Sequence, residues 1–142
     1  MLLRNIADVA TSLPNVDIVV GEGRNFLRNT TSQYDLIMLA LPVTKGSRSI
    51  DGYALTENYL FTVEAFTDYL NSLTPEGRII FVTHGNAELS RLLSLALTSF
   101  EEQGVSVEQA MKHLYSISRH QMPTLVIQKR INIIFLKILL LR

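Results

Sequence analysis

The residues best suited to chemistry fall in one short stretch, Val19-Val20-Gly21-Glu22-Gly23-Arg24-Asn25-Phe26-Leu27. It sets a carboxylate between two glycines, where a β-branched run gives way to a helical pattern. Such a carboxylate can accept hydrogen bonds from an exocyclic amine or from ribose hydroxyls, and the glycines let a flat ligand approach the backbone. The spelling G-E-G-R-N-F lacks the third glycine of a dinucleotide fingerprint. The same residues admit a plainer role, in which the glycines only turn the chain and Glu22 caps a helix beginning near Arg24. Other reactive groups are scattered. Asp51, Tyr53 and Glu57 follow one another in a loop and could line a pocket. His84, His113 and His120 fall on different elements, with no cysteine and no H-x₃-H spacing, so no metal site is expected. No G-x-S-x-G elbow supports a hydrolase triad.

The elements that must hold these residues alternate between β and α patterns, as in a mostly parallel sheet with crossover helices. Segment 16–20 (VDIVV) reads as a short strand ending at Gly21. Segment 34–41 (YDLIMLAL), closed by Pro42, reads as a central strand buried on both faces. Segment 78–83 (RIIFVT) is a third strand, preceded by the turn Thr74-Pro75-Glu76-Gly77. A helix is predicted over 58–73, with Tyr59, Val63, Phe66, Leu70 and Leu73 on one face. Another is predicted from an Asn86 cap to Gln103, with Gly104 just past its end and Leu89, Leu92, Leu93, Ala96, Leu97 and Phe100 inward. Segments 113–118 and 124–129 read as an antiparallel pair. The long irregular stretch at 43–54 follows the central strand, where open α/β sheets bind ligands.

At 142 residues the chain is one domain's worth, and with no cysteine it cannot rely on disulfides. Its 18% charged residues and positive mean hydropathy exclude disorder. The formal net charge of zero conceals an asymmetry. Residues 1–108 carry all 13 acids and seven of the 13 bases, net −6, and residues 109–142 carry the other six bases, net +6. Arg4 and Asp8 interrupt what would be the apolar core of a secretory signal, which makes the cytoplasm the default compartment. The run 131–141 (INIIFLKILLL) falls short of the ~20 apolar residues of a spanning helix, leaving membrane contact by this tail as the weaker expectation. No nucleic-acid-binding motif is present, and the aromatic residues fall at core spacing.

Taken in order, VDIVVGEGRNFL, YDLIMLALP and TVEAFTDYLNSLTPEGRIIF resemble the second half of spermidine synthases and their relatives among S-adenosylmethionine-dependent methyltransferase folds, over residues 15–129. The resemblance implies an α/β, Rossmann-like three-layer sandwich with a mostly parallel sheet that here lacks its first two strands. Residues 1–129 would form a partial transferase domain, and residues 130–142 an apolar, basic tail outside it. The implied cofactor is S-adenosylmethionine or its decarboxylated form. Its adenine would lie beside Glu22, with Gly21 and Gly23 allowing close approach and Ala40 and Pro42 at the end of the next strand. A small-molecule acceptor would sit under the loop that follows.

This sequence departs from the family in three places. Glu22 stands where most members have Asp. The glycine-rich loop for the cofactor's methionine part, and the acid for its ribose, lie upstream of the matching region and have no counterpart here. Where spermidine synthases carry a proton-accepting Asp, this chain has Ala40-Leu41-Pro42, and a methyl group accepts no proton. The expectation is therefore a cofactor-binding transferase, inactive as this chain stands, or a non-catalytic interaction module derived from that fold. In the resembled fold both missing strands would lie between segments 16–20 and 34–41. The apolar strand would then have an unpaired edge that invites self-association.

Overall fold

A computed structural model describes residues 14–40, 59–117 and 122–130. The loop at 43–54 with Asp51 and Tyr53, and Pro42, Glu57, His120 and the tail from 131 onward, lie outside the described residues.

The described elements run α1 (Gly23–Asn29), β1 (Tyr34–Ala40), α2 (Val63–Asn71), β2 (Leu73–Val82), α3 (Asn86–Glu102), α4 (Val107–Met111), β3 (Leu114–Ile117) and β4 (Thr124–Gln128). The four strands form one sheet in the order β1-β2-β4-β3. β1 and β2 pair in parallel, with Ile37 opposite Ile79 and Leu39 opposite Phe81. β4 then pairs antiparallel with β2 and with β3. The sheet is thus mixed, which corrects the expectation of a mostly parallel one. The hairpin of β3 and β4 folds its last strand into the middle, where it reverses the strand direction.

Register explains the core. The ladders align Ile37, Ile79, Ile127 and Leu114 in one row, and Leu39, Phe81 and Leu125 in the next. All of these pack into one cluster with Phe66 and Tyr69 of α2, Leu92, Ala96 and Phe100 of α3, Ala110 of α4 and Leu27 of α1. Phe66 stacks on Phe81 with ring centroids 5.1 Å apart, and Tyr69 and Phe61 tilt against Phe81 at 6.1 and 6.4 Å. Alternate residues, Leu36, Met38, Ile80, Val82, Tyr115 and Ile117, point to the opposite face. Among the described residues the molecule is two layers, helices on one face of a sheet.

The helices start and stop where local chemistry dictates. The α2 pattern begins later than 58 because Thr62 is the cap, its hydroxyl accepting from the Ala65 N–H at 3.1 Å. Tyr59 therefore stays outside the helix, 66% exposed. α3 ends as predicted at Gly104, which sits at φ +80°, the left-handed conformation glycine tolerates best. Thr67 and Ser99 share a hydrogen bond at 3.1 Å between α2 and α3.

The predicted turn Thr74–Gly77 is absorbed into β2 as an irregularity. Leu73 pairs with Tyr34, and regular pairing resumes at Arg78 opposite Leu36. Glycine is required here: a Cβ on Gly77 would lie 2.8 Å from the Tyr34 carbonyl oxygen and 3.0 Å from the Leu73 Cβ. Lys129 closes the feature, its Nζ donating to the Leu73 carbonyl at 2.7 Å and its N–H to the Gly77 carbonyl at 3.1 Å.

Two strand expectations are corrected. Segment 16–20 has no ladder among the described residues, and Val20 is 99% exposed. A β-branched run favours a pleated surface, yet without a neighbouring strand it has no hydrogen bonds to make it a strand. β1 is not buried on both faces, because among the described residues helices cover only one face of the sheet; Leu36 and Met38 are more than half exposed.

Candidate functional site

The elbow between segment 16–20 and α1 is built by Glu22. Its Oε1 accepts from the Arg24 N–H at 2.8 Å and its Oε2 from the Asn25 N–H at 2.7 Å. The capping role is therefore the one the geometry shows. An ionised carboxylate has about four acceptor positions, so two remain after both bonds are made. Gly21 and Gly23 are needed neither for the turn nor for packing. Neither has a left-handed φ, and a Cβ on either would meet nothing within 4 Å. Their effect is to leave bare backbone beside the carboxylate.

α1 is too short to be stable alone and is held by a side-chain anchor. Arg24 Nε lies 2.7 Å from Asp68 Oδ2 of α2, and its Nη1 donates to the Tyr59 carbonyl at 3.1 Å. Both ionic side chains are mostly buried, which gives the pair more weight than a surface contact. Arg28 approaches the same Asp68 oxygen at 4.0 Å. Arg24, read from sequence as part of the ligand block, thus acts as the strut that fixes the elbow.

Two clefts meet at this elbow. The larger, about 440 Å³, is lined by Val19, Val20, Gly21, Glu22, Asn25 and Phe26, among others. The smaller, about 220 Å³ and apolar, runs between α1 and β1, with Gly23, Phe26, Leu27, Met38, Leu39 and Tyr69 in its wall. Because Gly23 shares that wall with Met38 and Leu39, the elbow lies toward the carboxyl end of β1. Burial raises the Tyr69 phenol well above its ordinary range, and Tyr69 donates to the Leu60 carbonyl at 3.0 Å, so it is a neutral part of the wall.

Of the sequence-predicted site residues, Gly21, Glu22 and Gly23 come together as one surface. Ala40, at the end of β1, lines neither cleft and offers only a methyl group. Pro42 lies outside the described residues. Phe26 was missed as a site residue; its ring is 42% exposed and borders both clefts. Its spacing gave the signal, since its N–H closes the first helical bond on the Glu22 carbonyl at 3.0 Å, placing it one turn above the acid.

His84 and His113 serve separate local contacts. His84 Nδ1 lies 3.5 Å from Glu88 Oε2, which also accepts the His84 backbone N–H at 2.8 Å. His113 Nδ1 is 2.9 Å from the Gln128 carbonyl oxygen, and its ring packs on Phe100. Among the described residues no helix is long and apolar enough to cross a membrane, and no group of three or more potential metal ligands occurs. Compared with known proteins, the chain is matched by no family model and by no curated protein.

Proposed function

We propose that this chain carries the adenine-side half of a nucleoside-cofactor site of the S-adenosylmethionine type, in a cytoplasmic transferase related to spermidine synthases or methyltransferases. The observation that carries the reading is the Glu22 elbow. It joins a carboxylate with two spare acceptor positions, bare glycine backbone and an exposed aromatic ring beside the carboxyl end of a parallel strand, where open α/β sheets take their ligands. A flat heterocycle could stack on Phe26 while its exocyclic amine or ribose hydroxyls donate to Glu22. The cofactor's sulfonium would supply the electrophilic carbon of the methyl or aminopropyl group. This chain's described residues would only bind and orient the nucleoside, because nothing at Ala40 can take a proton from an acceptor. On this reading the two strands missing from the resembled fold belong beside β1, and the chain by itself does not catalyse transfer to its small-molecule acceptor.

The test is an amide NMR titration with adenosine and with S-adenosylmethionine. Millimolar adenosine is expected to shift the amides of residues 21–26, and Phe26→Ala is expected to abolish the shifts without altering those of the core. S-adenosylmethionine is expected to bind no more tightly than adenosine, since nothing here holds its methionine part. Absence of shifts with adenosine would end the nucleoside reading, and micromolar affinity for S-adenosylmethionine would end the half-site reading. A second reading, an interaction module, is favoured by one observation: the outer edge of β1 has no ladder partner among the described residues.

A further inference from the structure

Two parts of this chain present strand surfaces that nothing else among the described residues pairs. Four of the five residues of segment 16–20 are β-branched, yet it has no ladder among the described residues. The outer edge of β1 has no ladder partner among the described residues, and the apolar cleft of about 220 Å³ lies alongside, walled by Phe26, Leu27, Met38 and Leu39. A free edge with an adjoining apolar cleft is the arrangement in which an added strand gains main-chain hydrogen bonds while its alternate side chains fill the cleft.

Within one copy the two surfaces do not pair. The connection, residues 21–33, has the dozen residues a crossover needs, but its helix is pinned to α2 through Arg24 and Asp68 rather than bringing segment 16–20 against β1. We infer that two copies of this chain associate by reciprocal strand pairing, in which segment 16–20 of each adds to the free β1 edge of the other.

The available area suits this occupant. The exposed fractions of Val16, Ile18, Val19, Val20, Phe26, Leu36 and Met38 amount to about four whole apolar side chains per copy. For two copies that is on the order of 800 Å² of apolar surface, before any main-chain contribution, and a stable interface needs about 1,000 Å² in total. Pairing of two β1 edges alone would leave segment 16–20 bare and use little more than a third of this surface. The inference does not rest on the nucleoside reading: it gives to a second copy the β1 edge and the Val19, Val20 and Phe26 surface that the nucleoside reading assigns to missing strands and ligand.

Sedimentation equilibrium of the full chain between about 5 and 200 μM tests it. The expected result is a dimer of twice 16.0 kDa. The double variant Ile18→Lys/Val20→Lys is expected to raise the dissociation constant at least a hundredfold, with the circular dichroism spectrum unchanged, because Val20 is almost fully exposed within one copy. A monomer at 200 μM would overturn the inference. So would a dimer that survives the double variant but is broken by Met38→Lys, since that is the signature of β1 pairing with β1.

Discussion

Alternate residues of the same strands live in two different environments. On one face Ile37, Leu39, Ile79, Phe81, Leu125 and Ile127 meet four helices and an aromatic cluster, and Ile79, Leu125 and Ile127 are fully buried. On the other, Leu36, Met38 and Ile117 are close to half exposed or more. Composition does not separate the faces, since both are apolar. What separates them is whether the described residues include a covering layer. Binary patterning therefore reports how apolar a surface is and leaves open what it meets.

Mutations can break or sharpen this contrast. Phe81→Ala, at the centre of the aromatic cluster, is expected to cost about 3–5 kcal/mol in urea unfolding. Gly77→Ala should cost about 1–3 kcal/mol, because a Cβ only 2.8 Å from a backbone oxygen forces the β1–β2 irregularity to shift. Alkaline unfolding should follow from Tyr69. Its pKa is raised in the fold, so its contribution is complete below the ordinary phenol value of about 10 and is lost as pH rises toward the folded value, by up to about 1.4 kcal/mol per pH unit. Tyrosinate absorbance and circular dichroism should then change together, and Tyr69→Phe should remove the coupling. Arg24→Gln should cost about 1–2 kcal/mol, read as lost hydrogen-exchange protection in α1 with little change in α3. Met38→Ala, on the bare face, should cost no more than about 0.5 kcal/mol. A cost near that of Phe81→Ala would mean that this face is covered in solution.

The parts that were legible in the sequence are those decided locally. Gly104 marked the end of α3, the two apolar runs marked β1 and β2, and segments 113–118 and 124–129 marked the antiparallel pair of β3 and β4. The parts that were not legible depend on neighbours distant in sequence. Nothing in VDIVV says whether a ladder exists for it. Nothing in YDLIMLA distinguishes a central strand from an edge strand, because both are apolar when the missing neighbour is what would have buried them. Glu22 was legible as an acid between glycines. Its two bonds to the helix N-terminus follow from the extended backbone before it, which sequence spacing only suggests. Phe26 escaped notice because an aromatic residue at helical spacing is usually core.

The position of β4 sets when this fold can form. β2 and β3 share no ladder of their own; each pairs with β4. β4 is also the last described strand, and it pairs with residues some forty positions earlier. During synthesis, residues 34–117 must therefore emerge with the middle of the sheet still absent, leaving Ile79 and Phe81 without their cross-strand partners Ile127 and Leu125. Closure waits for residue 128, and the sequence separation of that pairing slows it. Until then β2 has an open edge of its own, which makes the nascent chain the form most exposed to wrong pairings.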